Sequence, residues 1–61
     1  MKRGKFIKHL EAYNCPLHRH GRRHDIHKNE QTGKRTSVPR HADIDEELCK
    51  EICKQLGIPK P

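Results

Sequence analysis

Six histidines fall within sixty-one residues, and four of them lie between His18 and His27. Imidazole titrates near neutrality, so a single ring can accept or donate a proton at cellular pH. That chemistry suits RNA, which carries its own nucleophile: removing the 2′-OH proton lets the oxygen attack the adjacent phosphorus. An enzyme of this kind needs a base, cations to neutralise the phosphorane, and alignment. His24, flanked by Arg22, Arg23 and Lys28, offers the base and the cations on one stretch of chain. The competing reading of any one of these histidines is a solvated surface imidazole. The second proton-transfer role stays open between water, His20 and His27.

Other chemistries find less support. Cys15-x2-His18-x-His20 gathers three soft ligands, and Cys49 and Cys53 lie one helical turn apart. Neither arrangement has the paired CxxC or HxxxH spacing of zinc modules, so no metal and no cofactor is expected. Cys49 and Cys53 read more simply as small apolar residues on the packed face of a helix. Three cysteines is an odd number, which argues against a disulfide framework. Asp25 and Glu30 are the acids near the basic strands, too few to hold a pair of Mg²⁺ ions. No ordered Ser/His/Asp or Cys/His set offers a covalent nucleophile. The nucleophile is therefore expected to come from the RNA.

The charge distribution points to the same partner. The net charge is +6. Residues 1–41 carry eleven Lys/Arg against three acids, a net of +8, and residues 42–61 carry three Lys against five acids, a net of −2. A polyanion-binding surface belongs in the first two thirds, although solubility alone also explains a net charge. No apolar run approaches a membrane span, and no apolar stretch follows the charged Met1–Lys5 start, so a cytoplasmic protein without a membrane partner is expected. Length predicts one domain over residues 1–61, near the lower limit for folding alone. Its core must come from Phe6, Ile7, Leu10, Tyr13, Leu17, Ile26, Val38, Leu48, Ile52, Leu56 and Ile58.

These residues need elements to hold them. Phe6, Leu10 and Tyr13 recur at i, i+4, i+7 beside Ile7, predicting a helix over Lys2–Tyr13 that ends at Asn14 and Pro16. Three short antiparallel strands follow, at about Leu17–His20, Arg23–Lys28 and Lys34–Val38, separated by Gly21 and by the Asn29–Gly33 turn and closed by Pro39. A second helix takes Asp45 as N-cap and ends at Gly57, with Ile44, Leu48, Ile52 and Leu56 as its apolar stripe, widened by Cys49 and Cys53. The α-β-β-β-α order predicts an α+β domain in which two helices cover one face of a three-stranded antiparallel sheet. Double-stranded-RNA-binding domains share that order and read RNA shape and phosphates.

The ordered set of segments resembles the HicA family of toxin mRNA interferases. The stretches that carry the likeness are Gly21-Arg22-Arg23-His24-Asp25-Ile26-His27, then Thr32-Gly33-Lys34-Arg35-Thr36-Ser37-Val38-Pro39-Arg40-His41, then the final helix closing in Gly57-Ile58. The resemblance implies a double-stranded-RNA-binding-like fold. It further implies metal-independent cleavage of mRNA with one catalytic histidine, which falls on His24, and neutralisation by a HicB-like antitoxin. Arg22 and Arg23 stand where the family has small Gly and Ser, and His27 stands where it has an aromatic residue. Strand alternation puts Ile26 and His24 on one face, and an apolar Ile26 argues for the core. The family pattern instead buries position 27 and exposes His24. A bulge near Gly21 would also free His24 from strict alternation.

The reading that results is a toxin endoribonuclease with His24 as the catalytic residue. Arg22, Arg23, Lys28, Lys34 and Arg35 are its RNA-binding candidates. The alternative is a non-catalytic RNA-binding domain of the same fold.

Overall fold

The computed structural model describes residues 1–61. Its elements run α1 (Arg3–Ala12), β1 (Leu17–His20), β2 (His24–Lys28), β3 (Arg35–Pro39) and α2 (Glu46–Leu56), the expected α-β-β-β-α order. The ends of α1, β2 and β3 shift by one residue from the sequence reading.

Both helices stop in the same way. After α1, Asn14 takes a left-handed φ of 62°, and the Cys15 and Asn14 amides donate to the carbonyls of Leu10 and Glu11. After α2, Gly57 has φ 73°, and Ile58 and Gly57 donate to Cys53 and Lys54. These bonds satisfy last-turn carbonyls that would otherwise lack partners. Asp45 stands at the N-cap of α2 as expected, but its side chain makes no cap bond.

The sheet is antiparallel, ordered β1-β2-β3. Asp25 and His27 of β2 and Thr36 and Val38 of β3 are buried. His24, Ile26 and Lys28 therefore belong to the opposite face, opposite Pro39, Ser37 and Arg35 respectively. The conflict over β2 is resolved without a bulge at Gly21. Ile26 is only half-buried on the open face, and His27 takes the inward position, 2% exposed. The irregularity in pairing lies between Leu17 and Arg19 of β1.

Nine side chains form the core: Phe6, Leu10, Cys15, Val38, Ile44, Cys49, Ile52, Cys53 and Leu56. Both helices contribute, so their apolar faces meet on one side of the sheet. Three expected core residues are exposed instead. Tyr13 lies at the C-cap of α1, Leu17 lies at the start of the edge strand, and Leu48 is 42% exposed. A helix advances about 100° per residue, which puts Leu48 roughly 90° from the centre of the stripe made by Cys49, Ile52, Cys53 and Leu56. A row at steps of four drifts around the helix, and the two cysteines fill the face that Leu48 leaves. All three cysteines are free and buried, and burial pushes each thiol up, that of Cys53 to about 11.

Polar groups stitch the periphery. Asn29 is buried at the start of the β2–β3 turn. Its Oδ1 accepts from the Gln31 and Thr32 amides, and its Nδ2 donates to the Leu56 carbonyl at 2.8 Å. Thr36 donates to Gln55 of α2. The segment before α1 pairs with the segment before α2 through Arg3 N to Ala42 O and Ile44 N to Met1 O.

Candidate active site at the first hairpin

The β1–β2 hairpin carries the histidine-rich stretch. His20 pairs with Asp25, and the Gly21 amide donates to the His24 carbonyl at 2.7 Å, leaving Arg22 and Arg23 as the exposed tip. Gly21 is needed here for lack of room. A Cβ at this position would lie 2.7 Å from the His24 carbonyl oxygen, inside contact distance of backbone that cannot step aside. His24 begins β2 on the open face, is exposed, and has no hydrogen bond on its ring. Its imidazole is thus reachable by a large substrate, and the two exposed arginines of the tip precede it in the chain.

Beneath the tip lies an ion cluster that sequence reading did not assemble. The Asp25 side chain is 10% exposed and receives three cationic or potentially cationic groups. His20 Nδ1 lies 2.8 Å from Oδ1, Arg40 Nε donates to the same oxygen at 3.0 Å, and Arg3 Nη2 donates to Oδ2 at 2.6 Å. The hydrogen bond from His20 and the guanidinium of Arg40 hold the Asp25 carboxyl down to about 2, against the partial burial that opposes them. Arg40 also donates through Nη2 to the Gly21 carbonyl at 2.7 Å, and Arg3 Nε donates to the Pro39 carbonyl at 2.9 Å. The cluster therefore ties α1, both strands of the hairpin and the end of β3 to one carboxylate. A carboxylate so filled has little left to offer a cation.

The carboxylate and the carbonyl facing the two neighbouring imidazoles fix their orientation. A carboxylate only accepts, so His20 donates through Nδ1, leaving Nε2 directed away from Asp25; the side chain is 72% exposed. His27 donates through Nδ1 to the Cys15 carbonyl at 2.9 Å and is sealed in the interior. Of the two histidines open for the second proton-transfer role, one is accessible and one is not.

The remaining predicted site residues lie elsewhere. Lys28 and Arg35 are register partners at the far end of the sheet, about 13 Å from His24 at strand spacing. Lys34 reaches over the end of α2, where a Cβ on Gly57 would lie 3.6 Å from its Nζ, a favourable place for a cation at a helix C-terminus. Arg22 and Arg23 thus stay next to His24 as its chain neighbours at the hairpin tip, while Lys28, Lys34 and Arg35 lie apart from it. Arg19 joins the open face opposite Ile26. The soft-ligand trio does not converge: Cys15 is in the core, while His18 and His20 face solvent. No group of three His, Cys, Asp or Glu side chains is placed to share a metal ion. No helix is long and apolar enough to cross a membrane.

The meeting of Arg3 and Arg40 at Asp25 was missed in sequence. The available signal was Asp25 itself, a lone acid inside a basic hairpin, which needs cations brought from elsewhere in the chain.

Comparison with known proteins agrees with this architecture. No curated protein and no solved structure matches the chain. The sequence model of one family, described as the HicA toxin of bacterial toxin-antitoxin, matches residues 3–58 and so spans every element from α1 to α2. The chain belongs to the HicA toxin family of bacterial toxin–antitoxin systems.

Proposed function

We propose that this toxin is an mRNA-cleaving endoribonuclease whose catalytic residue is His24. The observation that carries the reading is an exposed imidazole beside a two-arginine hairpin tip, on a strand that buries its neighbours and leaves that ring open. His24 takes the 2′-OH proton, the oxygen attacks phosphorus, and Arg22 or Arg23 holds the charge that grows on the phosphoryl oxygens. The products are a 2′,3′-cyclic phosphate and a 5′-hydroxyl. Asp25, the one acid at this end of the sheet, is occupied by His20, Arg3 and Arg40, which supports a route without a divalent metal.

Lys28, Lys34 and Arg35 extend the RNA path away from the hairpin. Lys28 and Arg35 face each other across the strands, and like charges directly opposite are unfavourable until an anion lies between them. A phosphate of the bound strand supplies that anion. A HicB-like antitoxin neutralises the toxin by covering the hairpin, and the +8 balance of residues 1–41 favours an acidic surface on that partner.

The second reading, RNA binding without cleavage, is favoured by the unsupported ring of His24 and by arginines where the family has small residues. One experiment separates the two. His24→Ala should abolish cleavage, leave RNA affinity nearly unchanged and leave the melting temperature intact. RNA with a 2′-deoxy sugar at the cut site should resist the wild-type chain, and EDTA should not slow it. Cleavage that survives His24→Ala, or that EDTA stops while the deoxy substrate is still cut, would overturn the histidine mechanism.

A further inference from the structure

We propose that Arg40 is the positioning residue that holds His24 and the Arg22–Arg23 tip in their working geometry. This rests on the ribonuclease reading above and assigns what fixes a histidine whose own ring has no hydrogen bond.

With no bond on the ring, the main chain sets where the imidazole stands, and at the tip that chain is held at few points. A hydrogen-bonded antiparallel pair exchanges two bonds, one in each direction. Here only one runs between backbones: the Gly21 amide donates to the His24 carbonyl at 2.7 Å. The reciprocal acceptor, the Gly21 carbonyl, takes its bond from Arg40 Nη2 at 2.7 Å. The same nitrogen lies 3.5 Å from the His24 carbonyl, and Arg40 Nε donates to Asp25 Oδ1 at 3.0 Å. One guanidinium thus spans Gly21, His24 and Asp25, the residues that bracket the two arginines of the tip. No other side chain bonds to the Gly21 or His24 backbone.

A planar guanidinium with several donors in a fixed fork suits this task, and an ammonium does not. Arg40 follows Pro39, the register partner of His24, so it is anchored at the end of β3 and not in the hairpin itself. The tip is thereby tied to the body of the sheet. The consequence for cleavage is geometric. His24 must meet the 2′-OH while a tip arginine meets the phosphoryl oxygens of the same nucleotide step, and a misplacement of about 1 Å costs on the order of 100-fold in rate. Arg3 supplies the contrast. It donates to Asp25 Oδ2 at 2.6 Å and to the Pro39 carbonyl at 2.9 Å, and makes no bond to Gly21 or His24. Both arginines neutralise the same carboxylate, and only Arg40 reaches the tip.

The test sets Arg40→Met beside Arg3→Met, each of which keeps an aliphatic stem and loses the guanidinium. RNA cleavage is followed well below both melting temperatures, with the wild-type and His24→Ala chains alongside. Arg40→Met should lower kcat about 100-fold and leave KM within about threefold of wild type. Arg3→Met should keep kcat within about threefold of wild type. Arg40→Lys, which can serve one carbonyl but cannot span the set, should fall between wild type and Arg40→Met. Hydrogen exchange at the Gly21 amide should quicken in Arg40→Met and not in Arg3→Met, which reads the tip without reference to activity. Equal losses of kcat in the two methionine variants would place the effect in the shared carboxylate, and the assignment fails. It fails likewise if Arg40→Met cuts as fast as wild type or leaves Gly21 exchange unchanged. A wild-type chain that cuts no RNA, or a His24→Ala chain that cuts as well as wild type, sinks the ribonuclease reading and the assignment with it, and the two control chains alone identify that outcome.

Discussion

Asp25 carries more structural consequence than any other charged side chain here, because both carboxylate oxygens are filled by groups from three other segments. Its pKa is held at about 2, below the ordinary 3.8. A group whose folded-state pKa is depressed adds stability at pH values above its unfolded pKa and loses it as pH falls through the folded one. The Asp25 contribution should therefore be constant just above pH 5 and fade between about 4 and 2. Asp25→Asn keeps the shape and removes the charge, leaving Arg3 and Arg40 facing a neutral amide. The variant should melt below wild type at pH 5, and the gap should close as both proteins are acidified toward pH 2. A gap that stays the same through that range would show that the cluster is held by shape and not by charge. The His24 side chain, by contrast, is placed by the strand alone, with no hydrogen bond on its ring. The cluster that braces the turn beneath it was not legible, since Arg3, His20, Asp25 and Arg40 are separated by up to thirty-seven positions and meet only once the sheet has formed.

At the scale of elements, local signals were dependable where one residue type decides the conformation. Asn14 and Gly57 end their helices as their chemistry predicts, and the three strands fall within a residue of the expected limits. Faces were harder, because a four-residue step and a 3.6-residue helix diverge. Leu48 was read into the core on that step and lies outside it, while Cys49 and Cys53 occupy the interior. Position 27 shows the opposite case. A histidine enters the core because the Cys15 carbonyl satisfies its Nδ1, a pairing across twelve residues that no local pattern announces. The corrected face of α2 can be measured. Ile52→Ala removes a side chain that is 2% exposed, and large-to-small changes at such sites cost about 2–5 kcal/mol. Leu48→Ala should cost less than about 0.5 kcal/mol, as surface changes do. Denaturant titration of the two variants gives the comparison. Equal losses would return Leu48 to the core.

Across the whole molecule the acidic side chains gather on α2, while α1 is basic through Arg3, Lys5 and Lys8. Both helices lie on one side of the sheet, and α2 carries Glu46, Glu47 and Glu51 on its exposed surface. The open sheet face and the hairpin tip carry Arg19, Arg22, Arg23, Lys28 and Arg35. No Phe, Tyr or Trp lies on that face; Phe6 is in the core and Tyr13 ends α1. Bases have only imidazole and guanidinium planes to stack on, so phosphate contacts are expected to supply most of the affinity, with little discrimination between sequences. Neutralising phosphates releases counterions, with a slope in log K against log salt of about −0.7 per contact for a single strand. Five contacts predict a slope of roughly −3.5, or about a 100-fold loss of RNA affinity between 50 and 200 mM salt. Replacing Arg22 and Arg23 with alanine should flatten that slope by about 1.4 and weaken unrelated RNA sequences equally. Fluorescence anisotropy over a salt series, with the His24→Ala chain to prevent cleavage, reads both quantities. An affinity indifferent to salt would mean that this surface is built mainly for the antitoxin, and that RNA reaches His24 through contacts other than the basic face.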